Sequence, residues 1–213
     1  LLASSAASDV YKRQVITGGP GTGKTMIQKA ILDIYQKHNP KARIVCCAPT
    51  GRAARRMEES TGHPASTVHR AIGLYTGDDG CFGTPTPLNA DLLLVDEISM
   101  LDIYVASALF DAIKPGCQMV LIGDADQLPS VGPGAVLSEM IASCYVPVVR
   151  LDKVYRPREG SRIAIKAKLI RHGNLALEYG TDFEFLNSPQ LPDSAETMVQ
   201  LYLQEVRRYG VDN

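Results

Sequence analysis

Apolar runs and helical periods alternate along this chain. Val15–Thr17 is a short apolar run that ends in glycines. Lys24–His38 follows, with Ile27, Ala30, Ile31, Ile34 and Tyr35 at i, i+3, i+4, i+7 and i+8, which predicts an amphipathic helix stopped by Asn39-Pro40. Ile44–Ala48 is unbroken apolar sequence, and Pro49 leads into a helical pattern over Arg52–Ser60. Leu92–Val95 and Met119–Ile122 are two further apolar runs, with a helix predicted over Asp102–Ile113 between them. Runs without polar alternation suit strands covered on both faces. Their alternation with helices implies βαβ units, so the expected class is α/β with a mostly parallel sheet.

The ends of the chain read differently. Leu1–Arg13 has small residues followed by a polar stretch, with no amphipathic period. Its basic residues come after the apolar part, the reverse of a signal peptide, so residues 1–14 are taken as a tail or non-native junction. Thr76–Pro87 is rich in Gly, Pro, Thr and Asp and predicts a loop or small hairpin. Beyond Arg150, Ser161–His172 reads as helix ending at Gly173, and Phe183–Leu186 as a short strand. Asp193–Tyr209 reads as a helix capped by Asp193, with Ala195, Met198, Val199, Tyr202, Val206 and Tyr209 on one face. No apolar stretch is long enough to cross a membrane, so no membrane partner is expected.

Composition narrows this picture. With 213 residues, 45% hydrophobic and 21% charged, the chain can bury a sizeable core as one large domain or one plus a fragment. Lys and Arg number 22 against 23 Asp and Glu, so no global field attracts nucleic acid or acidic lipid, and anion binding must come from local patches. Trp is absent and aromatics are only 6%, which disfavours an aromatic-rich nucleic-acid platform. The five cysteines (Cys46, Cys47, Cys81, Cys117, Cys144) form no C-x-x-C, and the histidines have no metal-ligand spacing. That argues against a structural zinc or disulfide framework and fits a reducing, cytoplasmic compartment.

The candidate chemistry lies where apolar runs end. Gly18-Gly19-Pro20-Gly21-Thr22-Gly23-Lys24-Thr25 fits G-x-x-x-x-G-K-[ST], following an apolar run and opening a helix. Glycines let backbone N–H groups turn inward around phosphate, and the helix N-terminus adds partial positive charge. Lys24 suits the β- and γ-phosphates, and the Thr25 hydroxyl suits Mg²⁺. Leu92–Val95 delivers Asp96 and Glu97 to the same kind of edge, Asp96 suiting Mg²⁺ and Glu97 suiting an attacking water. The run ending in Gly123-Asp124-Ala125-Asp126-Gln127 offers Gln127, whose amide suits a γ-phosphate, although Asp, Gly and Pro here also suit an ordinary turn. Thr50-Gly51-Arg52 begins a helical pattern and Thr67-Val68-His69-Arg70 follows Pro64, both with hydroxyl and basic groups suited to a single-strand backbone or to a solvated face. Arg156 suits an arginine finger or a surface ion pair.

Taken together and in this order, the segments resemble superfamily 1 DNA helicases of the RecD-like branch (superfamily 1B). Gly18–Thr25 is similar to motif I, Ala48-Pro-Thr-Gly-Arg-Ala-Ala to motif Ia, Val95–Met100 to motif II, Gly123–Gly134 to motif III and Leu151–Arg156 to motif IV, while Ser66–Arg70 resembles the DNA-contacting segment after motif Ia. The resemblance implies a RecA-like P-loop NTPase, a three-layer sandwich that uses ATP and Mg²⁺ to step 5′ to 3′ along single-stranded DNA. It implies phosphate contacts from Gly19, Pro20, Gly21, Thr22, Gly23, Lys24 and Thr25, and Mg²⁺ held by Thr25 and Asp96. It implies catalytic roles for Lys24, Glu97, Gln127 and Arg156, and DNA contacts from Thr50, Gly51, Arg52, Thr67 and His69. Other recombination or repair subunits are the implied protein partners.

Residues 15–150 are the expected RecA-like ATPase domain, and 151–213 the start of a second, truncated one. Residues 1–14 do not resemble the glutamine-bearing segment that holds adenine in the family, and motifs V and VI do not follow. Residues 1–213 alone are therefore not expected to separate strands. A non-hydrolysing, nucleotide-dependent DNA-binding or assembly subunit is the alternative. A small-metabolite kinase is disfavoured by Glu97 directly after Asp96.

Overall fold

The computed structural model describes residues 13–74, 83–153, 166–167, 169–170, 173–174, 176–180, 183–187 and 191–210. The chain divides into two compact units, Leu1–Pro157 and Arg158–Asn213. The expected tail up to residue 12, most of the Thr76–Pro87 loop, and Arg156 lie outside the described residues.

The first unit is built on strands β1 (Arg13–Gly18), β2 (Ile44–Ala48), β3 (Ala65–Thr67), β4 (Leu92–Val95), β5 (Gln118–Gly123) and β6 (Val148–Leu151). They form one sheet in the order β3-β2-β4-β5-β1-β6, with every described pairing parallel. Helices α1 (Lys24–His38) and α2 (Gly51–Thr61) alternate with the first strands. Helices α3 (Val68–Ala71), α4 (Ile103–Ala112) and α5 (Val136–Ser143) alternate with the later ones.

Two apolar layers follow from the two-residue period of the strands. Ile16, Cys46, Leu92, Leu94, Val120 and Ile122 meet Leu32 of α1 and Met57 of α2 on one face. Val15, Cys47, Leu93, Val95, Met119 and Leu121 meet Val68 of α3, Val105 and Leu109 of α4 and Leu137 of α5 on the other. Each fully buried Leu or Ile contributes about 1.5–3 kcal/mol, which explains why the central strands tolerate no polar alternation. Burial also pushes the Cys46 thiol up to about 12, leaving it a packing residue.

The result is a three-layer α/β sandwich, as expected. The chain leaves β1 toward β2 over one face and leaves β5 toward β6 over the other. The topology therefore switches direction between the neighbouring strands β1 and β5. In such sheets the crevice at the carboxyl ends of the strands at that point receives ligand.

Several local expectations need correction. The predicted face of α1 holds in part: Ile27, Ile31 and Tyr35 pack against the core, but Gln28 and Leu32 are the buried centre, and Ala30 and Ile34, the latter 60% exposed, face outward. β1 starts two residues before Val15 because Arg13 and Gln14 pair with Met119 and Val120. β3 has no counterpart in the sequence pattern: Ala65-Ser66-Thr67 is too short and too polar for an apolar-run signal, and it forms by pairing with β2.

In the second unit, Phe183–Leu186 is not a strand. Gly180 and Phe183 form only an isolated antiparallel bridge, with Tyr179 and Phe183 stacked 6.0 Å apart. Helix α6 (Leu191–Tyr209) begins two residues earlier than expected, so Asp193 sits in its first turn, where it complements the helix dipole, instead of capping it. Met198, Val199 and Tyr202 on its predicted apolar face are exposed. Among the described residues, no helix is long and apolar enough to cross a membrane.

Candidate functional site

The loop between β1 and α1 is shaped by its glycines. Gly21 and Gly23 have φ of 77° and 89°, the left-handed region that side chains other than glycine's resist. Gly18 is restricted by space instead. A Cβ there would lie 2.7 Å from Thr22 Oγ1 and 2.9 Å from the Leu151 carbonyl oxygen on β6. Gly18→Ala should therefore push β6 from β1 and destabilise the protein by about 1–3 kcal/mol, the usual cost of overpacking. A shift in the denaturation midpoint of the complete protein checks this.

Within the loop, the Thr22 hydroxyl donates to the Gly19 carbonyl at 2.8 Å. The Lys24 ammonium donates to the carbonyls of Gly18 and Gly19 at 2.6 and 3.1 Å. The cation is thus held over the loop, at the start of α1, beside exposed Thr25. Gly19, Pro20, Gly21, Thr22, Gly23, Lys24 and Thr25 are brought together here. The loop, its charge and the helix N-terminus fit a polyphosphate.

β4 ends two strands away from β1, about 10 Å across the sheet, with β5 between them. The Asp96 N–H donates to the Cys47 carbonyl at 2.9 Å, so the β2 ladder fixes the backbone at the end of β4. Asp96 Oδ1 accepts from the Glu97 N–H at 2.9 Å. Glu97 has φ 52° and ψ 37°, a left-handed conformation unusual for a residue with a long side chain. Such strain costs about 1–3 kcal/mol and collects at functional sites. Here it turns the chain into the 3₁₀ turn Ile98–Met100, and Glu97 Oε2 is left buried with no hydrogen-bond partner.

Burial pushes the Glu97 carboxyl above its ordinary pKa. The Asp96 charge adds to the rise, Lys24 and Arg56 oppose it, and Asp124 adds a little. A partly desolvated carboxylate of raised basicity is suited to accept a proton from water.

β5 brings the third segment between the other two. The Ala125 N–H donates to Thr17 Oγ1 of β1 at 3.1 Å, a bond between residues 108 positions apart that ties the loop after β5 to the end of β1. Thr17 is a positioning residue that no local pattern marked. Asp124 is buried and caps the turn by accepting the Asp126 N–H at 3.1 Å. The Gln127 N–H donates to the Asp124 carbonyl at 3.2 Å, and the Gln127 side chain is exposed. Among the described residues no group of three or more His, Cys, Asp or Glu forms a metal cage. Thr25 and Asp96 carry oxygen donors of the kind that could hold Mg²⁺, which takes few protein ligands when phosphates and water complete its shell.

A second cluster lies toward the far side of the same edge, at the ends of β2 and β3. Thr50 Oγ1 accepts from the Ala53 N–H at 3.2 Å and caps α2, and Thr67 Oγ1 accepts from the Arg70 N–H at 3.2 Å and caps α3. Thr67 is in register with Ala48, so the two caps are neighbours. Each hydroxyl retains its proton for a phosphate. Gly51 and Arg52 are exposed, and a Cβ on Gly51 would meet nothing within 4 Å. Neither packing nor backbone demands glycine there, and close approach of a ligand would. His69 lies within α3 beside this cluster.

A family model described as an AAA domain matches residues 4–133. The ATP-dependent RecD2 DNA helicase of Deinococcus radiodurans is 38% identical over 197 residues, covering 92% of this chain and 26% of that protein. RecD, a RecBCD enzyme subunit of Haemophilus influenzae, is 37% identical over 149 residues, covering 59% of this chain and 23% of that protein. The chain spans about a quarter of the length of these two relatives. Among solved structures, the Pif1 helicase of Candida albicans superposes with TM-score 0.55 at 21% identity, covering 88% of this chain and 48% of that one. Bacteroides Pif1 bound to single-stranded DNA superposes with TM-score 0.54 at 21% identity, covering 82% and 46%. At that identity these structures speak for the fold alone. The family model matches more than half of the chain and the RecD proteins match at over a third identity, so the chain belongs to the AAA domain family and is similar to RecD helicases.

Proposed function

We propose that this chain carries the first motor domain of an ATP-dependent DNA helicase, coupling ATP hydrolysis to 5′–3′ translocation on single-stranded DNA. Residues 15–150 form that domain in this reading, and residues 151–213 open a second one. The observation that supports it is one sheet edge: the phosphate loop, the Asp96–Glu97 pair and the Gln127 loop share it with the hydroxyl cluster of Thr50 and Thr67.

The roles follow from chemistry. Gly19–Gly23 turn backbone N–H groups toward phosphate, and Lys24 offsets its charge. Thr25 and Asp96 hold Mg²⁺, which when bound neutralises charge developing on the phosphate oxygens. Glu97 orients a water and takes its proton. Gln127 offers an amide to the terminal phosphate, and Arg156 offers transition-state charge. Thr50, Gly51, Arg52, Thr67 and His69 track the DNA backbone.

Single-stranded DNA is the partner by the same reading. The Haemophilus relative is named as a subunit of the RecBCD enzyme, so recombination or repair subunits are the expected protein partners. A cytoplasmic location belongs to this reading.

The test is unwinding by the complete protein of duplexes bearing a 5′ or a 3′ single-stranded tail. ATP-dependent strand release from the 5′-tailed substrate is expected. Release from the 3′-tailed substrate only would reverse the polarity, and release from neither would favour an assembly subunit.

Thr50→Ala and His69→Ala should each weaken single-strand binding and leave nucleotide affinity unchanged. Removing one phosphate-binding group should flatten the slope of log affinity against log salt by about 0.7. Fluorescence anisotropy at two salt concentrations measures this, and unchanged affinity and slope in both variants would remove the DNA assignment.

A further inference from the structure

The buried stripe of α1 contains one polar side chain. Gln28 is 1% exposed, one turn before fully covered Leu32, and neither its Oε1 nor its Nε2 has a hydrogen-bond partner. An unsatisfied buried amide costs about 1–3 kcal/mol, which an apolar side chain of equal length would avoid. An orphan of this kind calls for a physical reason.

The register supplies one. Leu32 belongs to the apolar cluster that holds Ile16, Leu94 and Ile122 on this sheet face. α1 starts at the carboxyl edge of the sheet and runs inward, so Gln28 lies about 6 Å nearer that edge than Leu32. Two residues beyond Ile16, Leu94 and Ile122, on the same sheet face, are Gly18, Asp96 and Asp124. Gly18 has no side chain, so the next side chains of this face toward the carboxyl edge, where Gln28 lies, are two carboxylates, of which Asp124 is 2% exposed. Asp96 Oδ1 is already held by the Glu97 N–H, and Asp124 Oδ1 by the Asp126 N–H. An amide both donates and accepts, so it complements a carboxylate and a metal-bound water alike. Lys24, one turn before Gln28 on the same face of α1, places these carboxylates directly beneath the phosphate loop.

We propose that Gln28 is a positioning residue of the Mg²⁺ shell: its amide reaches the Asp96–Asp124 carboxylates through one ordered water and fixes Asp96 for the metal. This rests on the reading of the loop as a Mg²⁺–nucleotide site. Outer partners of metal ligands are worth about 10–100-fold in metal affinity.

The experiment measures binding of a fluorescent ADP analogue to the complete protein, in EDTA and across a Mg²⁺ titration, with melting curves of the ligand-free protein. Gln28→Met removes the amide at nearly constant length. It should keep the affinity in EDTA, melt no lower than the parent, and raise the Mg²⁺ needed for half-maximal effect by about 10–100-fold. Gln28→Asn, keeping the amide one carbon shorter, should fall between the two. If Gln28→Met does not fold, Gln28→Asn carries the test, with a raised Mg²⁺ requirement expected. An unchanged requirement in the variant that folds overturns the proposal alone. A parent protein whose nucleotide binding ignores Mg²⁺ overturns the nucleotide-site reading and this proposal with it.

Discussion

Lys24→Ala is expected to abolish ATP hydrolysis by the complete protein. In the structure the Lys24 ammonium is fastened to the carbonyls of Gly18 and Gly19, so the positive charge is already in place before nucleotide arrives. Loss of one preorganised charge or donor at a transition state costs about 10²–10³-fold in rate. Here the same change removes the tie that holds the loop, so the effect should reach the upper end of that range or exceed it. Nucleotide affinity should fall as well, whereas single-strand binding without nucleotide should not, because Thr50 follows β2 and Thr67 ends β3, apart from the phosphate loop. Steady-state phosphate release and anisotropy with labelled DNA separate the two. Loss of DNA binding together with hydrolysis would mean a misfolded domain and not a missing charge.

Glu97→Gln should separate binding from turnover. The amide keeps the size of the carboxylate but cannot take a proton from water, and general-base catalysis of this kind contributes about 10²–10⁴-fold. ATP should still bind with nearly parental affinity, since Lys24, the loop N–H groups and Thr25 are untouched. Parental turnover in Glu97→Gln would assign the base elsewhere.

A second readout is stability in ligand- and metal-free protein. Burial first, and then the Asp96 charge, raise the Glu97 pKa in the folded state. The folded protein therefore binds that proton more tightly than the unfolded chain does. Its contribution to stability is complete at pH below the unfolded carboxyl value, and is lost as pH rises through the raised folded value. Glu97→Gln, which does not titrate, should therefore melt higher than the parent at neutral pH. The difference should shrink on acidification through the carboxylate range.

The strands and helices that build the first unit were legible where one local signal sufficed. Ile44–Ala48 and Leu92–Val95 are covered on both faces, so their apolar runs are the strands themselves. The phosphate loop was legible because its glycines, lysine and helix start are consecutive in sequence.

What escaped depends on distant partners. Ala65–Thr67 becomes a strand only because β2 lies beside it. Thr17 matters because the Ala125 N–H, 108 residues away, needs an acceptor. The face of α1 was misjudged in part because periodicity counts only apolar residues, and a glutamine occupies the centre of the buried stripe. Even the left-handed turn at Glu97 has no mark in a sequence whose residue there is neither Gly nor Asn.

In the proposed motor, the site after β1, β4 and β5 hydrolyses ATP in response to single-stranded DNA. The most direct test is phosphate release by the complete protein with saturating ATP and Mg²⁺, with and without an oligonucleotide that forms no duplex. Hydrolysis strongly stimulated by the oligonucleotide is expected in the parent, and none in Glu97→Gln at equal ATP occupancy. Bound ATP that stays intact in the parent with DNA present would contradict the proposal, and would make this chain part of a nucleotide-gated assembly subunit and not of a motor.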